Sequence, residues 1–143
     1  MWAILGLVAL PCSAELTEKE RDAKFPYDLG PDRIDISRYP TYQQQTYEMF
    51  MHTCSICHTP ARAINSPYVK PAEWSEYVQQ MHVRAKEQLL TPEDSRRVVD
   101  FLAYDAYERK VKKKKCFDAL QARLNAQFVE IQKQKAALQE KKN

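Results

Sequence analysis

Residues 54–58 read Cys-Ser-Ile-Cys-His, and the meaning of those five residues decides what the rest of the chain has to enclose. Taken as helix, Cys54 and Cys57 lie three apart and His58 lies four from Cys54, so two thiols and an imidazole share one face. A redox-active dithiol of the thioredoxin kind needs a strand-helix-strand setting, which the sequence pattern lacks. A zinc site needs four ligands in a tetrahedron, and the adjacent Cys57 and His58 cannot easily both point at one small ion. An ordinary disulfide is a third rival. The next thiol along the chain, Cys116, lies far downstream behind a lysine run.

The first residues, MWAILGLVALPCSA, carry no charged side chain and end in the small residues Ser13 and Ala14, before the acidic Glu15. This predicts a secretory signal over 1–14 with cleavage after Ala14. The apolar run is too short to span a bilayer. Acylation of Cys12 is an alternative, weakened by Leu10-Pro11 ahead of it. In an exported, periplasmic chain, C-x-x-C-H is the pattern of covalent haem attachment: Cys54 and Cys57 bond the macrocycle and His58 reaches the iron as proximal ligand.

At 143 residues with only two glycines, Gly6 and Gly30, the chain has room for one small core and few tight hairpins. The expected class is all-α, a small helical domain around one haem, whose apolar bulk would supplement a marginal core. Residues 15–40, punctuated by Pro26, Pro31 and Pro40, predict an extended arm that packs through Phe25, Tyr27, Ile34 and Tyr39. Residues 41–108 form the main domain. Its first helix runs from Thr41 to His58, with Tyr47, Phe50 and Cys54 on one face. After a loop with Pro60, Pro67 and Pro71 comes a helix bearing Trp74, Tyr77, Val78 and Met81. Thr91-Pro92-Glu93-Asp94 then opens another, with Thr91 as N-cap, proline in the first turn and acids facing the helix dipole. Val98, Val99, Phe101, Leu102 and Ala106 give it a wide apolar face.

An aromatic-bearing helix before C-x-x-C-H, a helix with a methionine and a capped helix ending Phe101-Leu102-Ala103-Tyr104 together resemble a class I monohaem cytochrome c. The subtype is that of bacterial domains with W-x-x-x-V-x-x-M, here Trp74 to Met81. The resemblance spans about Thr41 to Tyr107 and leaves out the arm and the C-terminal segment. It implies haem c held by Cys54 and Cys57, with His58 and Met81 as axial ligands. His82 competes with Met81, and a His/His pair would have the lower potential. Arg62 and the indole N–H of Trp74 are candidates to meet the haem propionates, against plainer readings as a surface arginine and a core tryptophan. Met49 and Met51 read as filler and His52 as solvated.

From Glu108 to Asn143 eleven basic residues face four acids, a net of +7, while the rest of the chain carries eleven basic and fifteen acidic residues, a net of −4. Two opposite poles predict orientation toward an acidic partner or an anionic membrane surface; an exported haem protein makes nucleic acid an unsuitable partner. In 109–143, Phe117, Leu124, Ile131 and Leu138 recur every seven residues. They predict one helix over Lys112 to Lys141 with an apolar seam too thin to stand alone, which calls for a protein partner or a coiled coil. Cys116 at its start is a cross-link or a free thiol. No acid/base dyad or Ser/His/Asp set supports independent catalysis, so the expected role is electron transfer between redox proteins as donor and acceptor, within or docked on a respiratory or photosynthetic complex. The alternatives are a haem-based sensor with an open sixth position and an assembly subunit with a structural haem.

Overall fold

The structure, a computed structural model, describes residues 15–86 and 89–141; the expected signal segment and Cys12 lie outside them. The described residues are helix, turn and coil with no strand, the expected all-α class. Three long helices make the core: α2 (Thr41–Cys54), α4 (Pro71–Ala85) and α5 (Pro92–Ala106). Two short ones, α1 (Glu18–Asp22) and α3 (Ala61–Ile64), precede α2 and α4 respectively, and the long α6 (Lys114–Glu140) closes the chain.

The core follows from helical spacing. Tyr47 and Phe50 of α2 meet Phe101 of α5 at ring separations of 5.5 and 5.7 Å. Trp74 and Val78 of α4 are buried with Val98, Leu102 and Ala106 of α5, and Met49 and Met51 pack at its edge. Thr91 accepts a hydrogen bond from the Asp94 N–H and Pro92 opens α5, as the cap sequence predicts. On α4, Pro71 lies in the first turn and the Glu73 carboxylate accepts the N–H groups of Val69 and Lys70.

Three expectations change. First, α2 stops at Cys54 instead of His58. The Ser55 hydroxyl donates to the Met51 carbonyl at 2.6 Å, competing for a carbonyl of the last turn, so Ser55 to Cys57 form a turn. Second, the arm is not simply extended. Thr17 and Glu20 close a capping box on α1, and Pro26–Leu29 forms a 3₁₀ turn. Ile34, Ile36 and Tyr39 then pack on the core, with the Ile34 N–H donating to the Tyr47 hydroxyl.

Third, the chain does not leave the core at residue 109. A π-helical turn, Tyr107–Val111, extends α5 and directs Arg109 and Lys110 inward. Arg109 pairs with buried Asp105, which also accepts from the Tyr39 hydroxyl at 2.9 Å, and Arg109 reaches the Ile64 carbonyl. Beyond it, α6 starts at Lys114 and lies on the arm's 3₁₀ turn. Phe117, Leu124 and Ile131 are buried while Leu138 is 51% exposed. The seam is therefore covered over its first three positions within one chain, so its thinness no longer demands a second one there.

Candidate functional site

The Cys54–His58 run sits where α2 ends and α3 begins, so the three side chains are held by different local structure. Cys54 is on the last turn of α2; burial, with Cys57 nearby, pushes its thiol up to about 12. Cys57 is exposed in the turn that follows, and both are free thiols. His58 is half-buried. Its Nδ1 lies 3.0 Å from the Thr59 carbonyl oxygen, which can only accept, so Nδ1 carries the proton and Nε2 keeps its lone pair. Burial lowers the pKa of His58, as does the charge of Arg62, leaving the imidazole neutral at pH 7.

Thr59, which the sequence reading passed over, ties this turn together. Its carbonyl accepts from His58 and from the Arg62 N–H, its hydroxyl donates to Asp32 of the arm, and that oxygen accepts the Ala61 N–H. The signal was present: Thr59-Pro60 repeats the Thr91-Pro92 pattern that opens α5. Burial of Ala61, Ala63 and Ile64 then fixes α3, and with it the turn that presents His58.

Arg62 has a partner that the sequence reading did not foresee. Its Nε and Nη2 donate to the two oxygens of Asp28 at 2.8 and 2.9 Å, and its guanidinium lies 5.2 Å from the Phe25 ring centre. Burial raises the Asp28 carboxyl, but the Arg62 hydrogen bonds and charge and the N–H groups of Lys24 and Phe25 outweigh it and hold the carboxyl below its ordinary 3.8. The pair clamps the arm beside the motif. Cys57, His58, Thr59 and Arg62 share an open cleft of about 720 Å³ with α1 and the arm residues Lys24, Asp28 and Asp32.

Trp74, Tyr77, Met81 and His82 lie on α4 and do not line that cleft. Trp74 is fully buried, the plainer of its two readings, yet its Nε1 has no hydrogen-bond partner. The Tyr77 hydroxyl and His82 Nε2 are also buried and unpartnered. Met81 shares the Trp74, Tyr77 and Val78 side of the helix and is half-buried, while His52 on α2 is exposed.

The donor chemistry fits a c-type haem. Two thiols and a neutral imidazole with a free Nε2 lie between the last turn of α2 and the bend after it, while the unpaired Trp74 N–H and Tyr77 O–H lie on α4, outside that cleft. Among the described residues no three His, Cys, Asp or Glu side chains come together as a metal cluster would require. No helix among them is long and apolar enough to cross a membrane. Comparison with protein-family models, curated proteins and solved structures finds no match for this chain.

Proposed function

We propose that this chain is an exported, periplasmic c-type cytochrome: a one-electron carrier with haem c bound through Cys54 and Cys57, acting as a subunit or docked partner of a larger respiratory or photosynthetic electron-transfer complex. The observation that carries the reading is the His58 ring, tied at Nδ1 to the Thr59 carbonyl within a C-x-x-C-H turn so that Nε2 is free to ligate. A bound haem supplies a one-electron ferric/ferrous change. The protein's part is positional. The Thr59 carbonyl sets the tautomer and ring direction of His58, Asp32 holds the Thr59 hydroxyl, and the Asp28–Arg62 pair keeps the arm against the motif.

Met81 is the sixth ligand that the family resemblance favours. His82 keeps a specific claim, because its Nε2 is buried without a partner. The test is expression alongside a cytochrome c maturation system, followed by denaturation. Haem that stays on the unfolded chain, one per chain, and is lost in Cys54→Ala/Cys57→Ala is the expected result; a chain that comes out haem-free, or releases its haem on unfolding, overturns the proposal. In the holoprotein, loss of the ferric methionine–iron charge-transfer band in Met81→Ala but not in His82→Ala assigns the ligand.

A further inference from the structure

We propose that the outward face of α6, with the lysine turn that precedes it, is a docking surface for an anionic lipid bilayer. This goes beyond the haem reading and does not depend on it. Residues 111–116, Val-Lys-Lys-Lys-Lys-Cys, are all exposed. Because Phe117, Leu124 and Ile131 are the buried side of α6, which lies against the arm and the π-helical turn, positions 115, 122, 126, 129 and 133 fall on the opposite side at 100° per residue, and all five are exposed. That side presents Lys115 and Lys133 around Ala122, Ala126 and Val129, with Val111 beside the turn.

Three of the segment's four acids are already engaged, and the fourth, Glu140, lies at the far end of α6. Glu108, Asp118 and Glu130 pair with Lys112, Lys114 and Lys133 at 2.6, 2.6 and 3.7 Å, exposed pairs that water and competing anions loosen easily. Lys113 and Lys115 have no ion pair among the described residues; Asp35 of the arm lies within the field of Lys113, where Arg38 offsets it. The segment that bears this face has a formal charge of +7 against −4 on the remainder of the chain, and although Arg109 and Lys110 turn inward the excess stays positive, so a negatively charged surface aligns the molecule with α6 toward it. None of these residues lines the Cys57–His58 cleft, which stays open when α6 is seated.

Lipid suits this face better than an acidic protein. A protein partner is gripped by aromatic or arginine anchors in desolvated pockets, and lysine is depleted at such interfaces. A convex helix with alanine, valine and lysine offers shallow contact and diffuse charge instead. Electrostatics therefore dominates, and binding should fall steeply with salt.

The test is co-sedimentation of the full chain with vesicles of phosphatidylcholine or of phosphatidylglycerol, with haem content read separately from the visible spectrum. The expected result is salt-sensitive binding to phosphatidylglycerol alone, weakened about five-fold by Lys113→Gln or Lys115→Gln and about twenty-five-fold by both. Both side chains are exposed, and unchanged circular dichroism of the variants separates the effect from misfolding. Equal binding to the two vesicle types, as insertion of the apolar residues 1–14 would give, overturns the proposal. So does unaltered phosphatidylglycerol binding by the double variant. Lysine-dependent capture on polyglutamate without vesicle binding also overturns it and makes the face protein-directed.

Discussion

The middle of the chain and its two ends are held together by different physics. Between α2, α4 and α5 the contacts are aromatic and aliphatic, and every residue of the main buried cluster falls between Tyr47 and Ala106. The arm and α6 form a second layer with four buried apolar side chains, Ala23, Phe117, Leu124 and Ile131. Ile34, Ile36 and Tyr39 add apolar contact with the core, and polar bonds make the other ties. Asn65 Nδ2 donates to the Pro31 carbonyl at 2.9 Å, Gln121 donates to the Asn65 carbonyl at 2.7 Å, and Lys135 donates to the Arg21 carbonyl at 2.8 Å. A layer built on a few directional bonds loses more from one mispaired group than from a trimmed methyl, and the core does the reverse.

The largest effect should come from the core. Phe50 is fully buried and stacks near both Tyr47 and Phe101, so Phe50→Ala removes an aromatic side chain from a site that cannot collapse around the gap. A loss of about 3–5 kcal/mol is expected from denaturant unfolding followed by circular dichroism. Core and outer layer should melt together, because the arm rests on Tyr47 and Tyr104. A Phe50→Ala chain that unfolds only its arm would break the comparison.

Asp28→Asn should act the other way round. It leaves the Arg62 guanidinium, 12% exposed, beside a neutral amide, at a cost of about 1–3 kcal/mol. The loss should appear as faster proteolysis within residues 15–40 while the helices of the core persist. Acid should mimic it. Asp28 titrates near 3.8 in the unfolded chain and lower in the folded one, so the pair's contribution is present above that range and lost as pH falls through the folded value. His58, also held below its ordinary 6.5, adds a loss of stability that begins as pH drops past 6.5.

How far the sequence could be read follows the same division. The helices α4 and α5 were legible because Thr91-Pro92 and the spacing of Trp74, Val78, Val98 and Leu102 are local signals of capping and burial. The end of α2 was not, since a single serine hydroxyl decides it. The seam of α6 was visible as a stripe, but a seven-residue spacing does not say what covers it, and the answer is an arm about a hundred residues away. Arg62 read as a propionate partner or a surface arginine because its carboxylate, Asp28, lies 34 positions upstream. At the candidate site the C-x-x-C-H run was plain and Thr59 was overlooked. The tie from Asp32 to Thr59 crosses 27 positions and leaves no local pattern.

Lys110 joins the two regions, and its expected effect is the smallest and the most specific. In the sequence it belongs to the basic pole of the C-terminal segment, but the π-helical turn places it inside. Its ammonium donates to the Ser66 and Tyr68 carbonyls at 2.8 and 3.1 Å and lies 4.8 Å from the Trp74 ring centre and 5.4 Å from that of Phe117. Trp74 belongs to the core and Phe117 to the outer layer, so one cation bridges both. Burial, reinforced by the charge of Arg109 and opposed by Asp105 and Glu73, brings its pKa down to about 7 from 10.5. Between those values the unfolded chain binds more protons than the folded one, so stability should rise as pH climbs from 7 toward 10.5. Lys110→Met keeps most of the volume and removes the charge. At neutral pH relief from desolvation offsets the two lost hydrogen bonds, leaving a net change of about 1 kcal/mol or less, while the alkaline rise should vanish. Denaturant midpoints measured across that pH range decide the matter: a rise that survives in Lys110→Met would mean that the bridging cation keeps its proton in the folded chain and that the two regions are held here by a permanent charge.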